Sequence, residues 1–228
     1  MTGFKKLKVS LYLTKIVKSY KMEGKSRQRF SERAIDLWKV LNSSIRSILL
    51  LMGTTDFGKN GINEAGFKAI VIASLIPLLD TKSKESVHSE VPVEGGYMDV
   101  VVIFPKFNGA LVIELKYLQL LYFKATRWQA IGRAKTGKSE RQLLEEDLRP
   151  FRSLKVESLK GIMYRNPKTK QYDTSIIDCV KKAREQALDY AKSLRDGGLT
   201  PFNPKPQTIY YGVIVGYACS NVYGIKRL

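Results

Sequence analysis

Three short apolar runs, separated by turn-forming residues, constrain the fold of this chain more than any other feature. They lie at 86–92, 98–104 and 110–117 and are rich in valine, isoleucine and leucine. Runs of this length between Gly, Pro and Asn residues are typical of β-strands. The four residues 106–109 (KFNG) are enough to join the second run to the third. The sequence therefore predicts an antiparallel hairpin over 98–117.

Three charged residues interrupt the strands of this hairpin. If 106–109 form the loop, Asp99 faces Lys116 across the hairpin. Opposed residues share a face of a sheet and side chains alternate along each strand, so Asp99, Glu114 and Lys116 lie on the same face. A slip of one residue in the register would separate Asp99 from the other two.

Two neighbouring carboxylates repel each other and titrate as a coupled pair unless a cation lies between them. Oxygen ligands with room for water suit Mg²⁺ or Mn²⁺. A lysine two residues after one of the carboxylates, on the same face, can hold an attacking water or a phosphate oxygen. These groups suit metal-assisted phosphodiester hydrolysis. The alternative is a buried salt-bridge network with a structural role only.

Helical periodicity surrounds the three strands. Ser31 resembles an N-cap and predicts a helix to about Met52, and Asn63 predicts the cap of a second helix that is apolar on nearly all sides. A basic amphipathic helix is predicted at 4–21. Two helices are predicted after the strands, at 139–148 and 175–194, and a last strand at 208–218. This order of elements predicts an α/β fold in which helices flank a small mixed β-sheet.

The basic charge of the chain is concentrated in two segments. The protein has 228 residues and a net charge of +18. Residues 1–30 contain nine Lys or Arg and one acid, and residues 121–170 contain thirteen and five, so these segments carry 16 of the 18 net charges. We therefore expect a basic N-terminal helical region at 1–60, a core domain at 61–228 and a basic insert at about 118–172. Such a charge favours nucleic acid as the partner.

Composition also excludes several classes of function. The single histidine, His88, leaves no histidine pair or His-rich metal cluster, and the two cysteines lack metal-ligand spacing. The longest apolar runs are too short to span a bilayer, so no membrane partner is expected. We expect an intracellular protein, nuclear in a eukaryote or cytoplasmic in a prokaryote. The sequence is also compatible with a homodimer.

An Asp at the start of one strand followed by Glu-Leu-Lys on the next resembles the PD-(D/E)xK nuclease superfamily, which has the restriction-endonuclease-like fold. The flanking segments are similar to elements of that fold. They are NEAGFKAIVIASL at its first core helix, REQALDYAKSL at the helix after the motif and TIYYGVIVGYA at the final strand. The branch resembled is the one associated with AAA-ATPase-like domains. The resemblance covers roughly 61–118 and 174–218.

The resemblance implies a Mg²⁺-dependent deoxyribonuclease in which Mn²⁺ can substitute for Mg²⁺. It implies that Asp99 and Glu114 bind the metal, with the carbonyl of Leu115 as a further ligand. It implies that Lys116 orients or activates water and that Glu64 acts in the outer sphere or at a second metal. Glu64 is equally well explained as an acid in the first turn of its helix that complements the helix dipole.

Gln186 and Tyr190, four residues apart on one helix face, would border this site. Glu90 is a weaker candidate, and the alternative for it is a charge at a strand edge without a role in the site. The segment GGYMD departs from the GRPD-like pattern of the branch, because Met98 replaces the proline and the arginine is missing. The loss of this arginine leaves one phosphate contact unaccounted for.

Two other functions compete with a nuclease. A protein of this fold without catalysis would only bind nucleic acid or another protein. The segment 132–139 (GRAKTGKS) matches the phosphate loop of P-loop NTPases. A working P-loop follows a buried strand in a parallel sheet, and too few residues follow this segment to build one. We therefore rank the NTPase last and interpret the segment as a basic loop near nucleic acid.

Overall fold

The computed structural model consists of a five-stranded sheet with helices on both faces. The residues that the structure describes are 29–52, 62–94, 96–119, 123, 142, 146, 161–165, 169, 171–172, 174–196, 201–217 and 220–228. The predicted helix at 4–21, the segment GRAKTGKS and nearly all of the predicted helix at 139–148 lie outside these residues.

The described part contains three complete α-helices, two short 3-10 helices and seven strands. The helices are α1 (Phe30–Leu51), α2 (Glu64–Leu75) and α3 (Ile176–Asp196). The strands are β1 (Ser86–Val93), β2 (Gly96–Phe104), β3 (Gly109–Leu118), β4 (Met163–Tyr164), β5 (Thr174–Ser175), β6 (Thr208–Tyr217) and β7 (Ser220–Arg227). The α/β class and the mixed sheet flanked by helices are thus confirmed.

The main sheet has the order β1-β2-β3-β6-β7, in which β3 and β6 are parallel and the other neighbours are antiparallel. Strands β4 and β5 form a separate antiparallel pair. Among the strands that the structure describes, β3 and β6 are therefore the one parallel pair. Strand β7, which the sequence analysis did not predict, covers the outer edge of β6.

The hairpin of β2 and β3 has a different register from the predicted one. Phe104 pairs with Gly109 and Val100 with Ile113, so continuing this register places Asp99 opposite Glu114 and not opposite Lys116. The shift has a local cause: residues 105–107 form a 3-10 turn that Asn108 ends in the left-handed conformation, with φ 47°. Because the shift is two residues, it leaves every side chain on its predicted face.

Helices α1 and α2 lie on one face of the sheet, and α3 lies on the other. A side chain at Gly212 or Gly216 of β6 would collide with Trp38 of α1 or Phe67 of α2, respectively. Gly224 of β7 pairs with Val213, so it lies on the opposite face from Gly212. A side chain at Gly224 would contact Arg184 of α3. Both sides of the sheet are therefore closely packed where they carry glycine.

Helix α1 belongs to the same hydrophobic core as the sheet. Leu37, Leu41 and Ile45 are fully or almost fully buried in this core. The helix begins at Phe30, one residue before the predicted cap at Ser31. Glu32 explains this start, because its carboxylate accepts a hydrogen bond from the backbone N–H of Arg29 at 3.2 Å.

Helix α2 has the predicted cap but a different burial. The Asn63 side chain accepts a hydrogen bond from the backbone N–H of Gly66 at 2.9 Å. The prediction of a helix buried nearly all round is wrong, since Phe67, Val71 and Leu75 are buried and the alanines of the opposite side are exposed. Alanine exposes little apolar surface, so this side needs no cover.

A buried ion pair connects α1 to the segment before β1. Arg33 Nε donates to Glu85 Oε1 at 2.9 Å, and Arg33 Nη2 donates to the Leu78 carbonyl at 2.8 Å. The backbone N–H of Asp80 donates to Glu85 Oε2 at 2.8 Å. Both charges are therefore neutralised and hydrogen-bonded, as buried charges need to be.

Candidate functional site

The candidate site lies where strands β2 and β3 separate. Their backbone ladder ends at Val100 and Ile113, although both strands continue beyond these residues. At the next position the Asp99 side chain replaces the ladder, because its Oδ2 accepts a hydrogen bond from the backbone N–H of Leu115 at 2.9 Å. Asp99 is thereby fixed beside Glu114, its counterpart on β3.

Glu114 is the most deeply buried carboxylate of the site, with 1 % of its surface exposed. Its Oε1 lies 2.8 Å from Nζ of Lys116, yet neither oxygen receives a well-directed hydrogen bond from the described residues. Burial, reinforced by the charge of Asp99, raises the pKa of Glu114 to about 7, against the lowering effect of Lys116. Oε2 has no polar contact among the described residues, so this buried carboxylate has unused capacity to bind a cation.

Lys116 connects Glu114 to helix α2. Its Nζ lies 3.6 Å from Glu64 Oε1, so the ammonium is shared between a buried and a half-exposed carboxylate. Burial by itself lowers the pKa of Lys116. The contact with Glu114 and the charges of Glu64 and Asp99 outweigh burial and raise this pKa. Lys116 therefore remains an ammonium at neutral pH and can donate hydrogen bonds.

A second lysine, which the sequence analysis did not identify, contacts the other carboxylate. Lys68 Nζ lies 2.8 Å from Asp99 Oδ1 and also forms an ion pair with Glu90. Burial lowers the pKa of Lys68, but the contacts with Asp99 and Glu90 outweigh burial and raise it. One signal could have identified this residue: Lys68 follows Glu64 by four positions and therefore lies on the same side of α2.

The structure brings most of the predicted residues together. Asp99, Glu114, Leu115 and Lys116 lie at the separation of the strands, and Glu64 joins them through Lys116. Glu90, the weaker candidate, is joined to them through Lys68.

Gln186 and Tyr190 form a hydrogen-bonded pair on α3. Gln186 Nε2 donates to the Tyr190 hydroxyl at 2.9 Å. That hydroxyl lies against Gly96, where an added Cβ would be only 2.9 Å from it. Within the described part of the chain, no hydrogen bond or ion pair joins either residue to Asp99, Glu114 or Lys116. Their predicted position at the border of the site stays a prediction.

The residues at the strand separation fit a small divalent cation. Asp99 and Glu114 supply carboxylate oxygens, and the carbonyl of Leu115 is a third candidate ligand. No group of three or more His, Cys, Asp or Glu side chains in the described residues is arranged to hold a metal ion. A cation here would therefore depend on two carboxylates, a peptide carbonyl and water, a combination that Mg²⁺ accepts.

Comparison with known proteins does not identify a relative: no family model, no curated protein and no solved structure matches this chain. The membership of the PD-(D/E)xK superfamily and the restriction-endonuclease-like fold therefore stay predictions. In the part of the chain that the structure describes, no helix has the length and apolar character needed to cross a bilayer.

Proposed function

We propose that this protein is a divalent-metal-dependent nuclease that hydrolyses phosphodiester bonds, with DNA as the substrate. The observation that carries the proposal is the pairing of Asp99 with the buried Glu114, whose Oε2 has no hydrogen-bond partner among the described residues, where two strands separate. Lys68 pairs with Asp99 and Lys116 with Glu114, and a divalent cation between the two carboxylates would compensate the repulsion that remains between them. The restriction-endonuclease-like fold and the Mg²⁺ or Mn²⁺ cofactor are parts of this proposal.

Asp99, Glu114 and the Leu115 carbonyl would hold the cation. When bound, the cation stabilises the negative charge that develops on the phosphate during hydrolysis. In the overall reaction water adds to phosphorus and one phosphorus–oxygen ester bond breaks, which leaves a phosphate monoester and a hydroxyl. Lys116, as an ammonium, would donate hydrogen bonds to the attacking water or to a phosphate oxygen.

The charge distribution supports nucleic acid as the substrate. Residues 1–30 and 121–170 carry 16 of the 18 net positive charges, so a polyanion would be attracted mainly to these two segments of the chain. The basic residues would bind the phosphate backbone without reading its sequence. Binding and hydrolysis are therefore assigned to different sets of residues.

A second function is favoured by one specific observation. Each of the two central carboxylates is already paired with a lysine, Asp99 with Lys68 and Glu114 with Lys116. A salt-bridge network of this kind can be purely structural. The protein would then be a nucleic-acid- or protein-binding module of the same fold without catalysis. An NTPase remains the third candidate and has no support from the described residues.

The decisive experiment combines several substrates with one conservative substitution. Linear, circular and branched DNA and single-stranded RNA are incubated with the protein in Mg²⁺, Mn²⁺ or EDTA. We expect cleavage with either metal, none in EDTA, and a loss of at least 100-fold in Asp99→Asn. Asp189→Asn is the matched control, because this carboxylate is exposed on α3 and its one ion pair among the described residues is with Lys192 at 3.8 Å.

Each outcome separates the two functions. Cleavage that is equal in wild type and Asp99→Asn would come from a contaminant and would contradict the proposal. DNA binding without cleavage in any metal would favour the binding module. Loss of cleavage in the Asp189→Asn control would show that general destabilisation, and not the site, explains the result.

A further inference from the structure

Lys68 lies between two carboxylates of unequal exposure. Asp99, at 2.8 Å from its Nζ, has a side chain that is 14 % exposed, whereas the side chain of Glu90 is 59 % exposed. The ammonium thus has one partner inside the candidate site and one at its solvent side. Asp99 in turn is held from two directions, by Lys68 at Oδ1 and by the Leu115 N–H at Oδ2.

The backbone of Glu90 is strained at the same place. Its φ is 53°, in the left-handed region that non-glycine residues rarely adopt. The ladder between β1 and β2 pairs Ser89 with Val100 and Val91 with Met98, but it omits Glu90 and Asp99, which are opposite each other in this register. Backbone conformations of this kind persist only where the surrounding structure holds them, and they are enriched at functional sites. Here the strained residue supplies the second carboxylate to Lys68.

We propose that Lys68 is a displaceable counter-ion: it neutralises Asp99 in the cation-free protein, and Glu90 retains the ammonium when a divalent cation binds Asp99. The inference rests on the cation site of the proposed function and adds to it a positioning role for Lys68 and Glu90. It gives a reason for a lysine beside a metal-binding carboxylate, because two like charges without any counter-ion would destabilise the free protein.

The proposal predicts opposite effects for the two residues. Removing the Lys68 charge removes a competitor of the cation and the repulsion between them, so cation affinity should rise roughly tenfold. Removing the Glu90 charge leaves Lys68 with Asp99 as its only partner, so cation affinity should fall. If Glu90 acts through Lys68, its substitution should have no effect once Lys68 is neutral.

The test measures Mn²⁺ binding to the free protein by isothermal titration calorimetry in 0.1 M NaCl, without nucleic acid. Lys68→Met, Glu90→Gln and the double variant are compared with wild type, and Asp99→Asn defines binding outside the site. Lys68→Gln repeats the first variant with a polar side chain. Lys106→Met is the control for a lost positive charge, since it lies in the turn after Phe104 and the stretch of β2 from Asp99 to Phe104 spans roughly 17 Å, beyond the screening length of about 10 Å.

The expected result is tighter binding in both Lys68 variants, weaker binding in Glu90→Gln, and a double variant that behaves like Lys68→Met. Unchanged or weaker binding in the Lys68 variants would overturn the inference. An equal loss from Glu90→Gln in the presence and absence of Lys68 would also overturn it, because Glu90 would then be a ligand itself.

Two outcomes distinguish this inference from the proposed function. Mn²⁺ binding that follows the expected pattern in a protein that cleaves no substrate would support the role of Lys68 and contradict the nuclease. The absence of Mn²⁺ binding from wild type and from every variant would overturn both.

Discussion

Replacing Glu114 by glutamine should stabilise the metal-free protein at alkaline pH, although it removes an ion pair. Burial raises the pKa of Glu114 from 4.5 to about 7, a difference of about 2.5. At 1.36 kcal/mol for each pKa unit, this difference corresponds to about 3 kcal/mol. The effect of Lys116 is already included, because its charge lowers the same pKa.

The sign follows from where the proton is held more tightly. The folded state binds the Glu114 proton more strongly than the unfolded state, so the free energy of unfolding falls as pH rises from 4.5 to about 7. Below this window the carboxyl is protonated in both states, so its ionisation does not lower the free energy of unfolding. Above it the folded protein bears the whole cost of an ionised buried carboxylate, and glutamine does not.

We therefore expect Glu114→Gln to be more stable than wild type by up to about 3 kcal/mol at pH 8 and by less than about 1 kcal/mol at pH 5. For a chain of this size the difference at pH 8 corresponds to about 6–12 °C in Tm. The assay is urea unfolding in EDTA at several pH values. Glu64→Gln is the control, because that carboxylate is half exposed and its replacement relieves no buried charge.

A cation gives a second measurement on the same carboxyl. Binding of Mn²⁺ favours the ionised form, so Mn²⁺ should raise the Tm of wild type at pH 8 and leave that of Glu114→Gln nearly unchanged. The reasoning is refuted if Glu114→Gln lowers stability equally at pH 5 and pH 8. That result would mean that Glu114 is ionised throughout and stabilised by Lys116.

Three further predictions concern other parts of the chain. Glu85→Ala should lower the free energy of unfolding in urea by about 3 kcal/mol or more, because it leaves Arg33 buried without its partner; a loss below 1 kcal/mol would contradict this. Lys116→Ala should abolish cleavage and keep most DNA affinity in filter binding, since other basic residues provide the counterion release; an equal loss of both would make Lys116 mainly a binding residue. Lys138→Ala should leave cleavage at saturating DNA nearly intact and should lower the slope of log K for DNA binding against log[salt] by about one unit at most. Mg²⁺-dependent ATP binding by wild type that is lost in this variant would instead favour the NTPase.

The sequence determined the faces of the strands and the ends of several helices, because these features depend on neighbouring residues. Alternation along β2 and β3 placed Asp99, Glu114 and Lys116 on one face, and a register shift of two residues did not change it. Asn63 identified the start of α2 for a similar reason, since a cap contacts the backbone only a few residues away.

The tertiary structure decided what depends on residues distant in the chain. The register of β2 and β3 depends on the turn that Asn108 ends. The edge strand β7 was not predicted because its sequence, SNVYGIKR, has little apolar alternation. The position of Lys68 between Asp99 and Glu90 follows from how α2 packs on the sheet. Periodicity places a side chain on one side of its own helix, but only the packing of that helix decides which charges it meets.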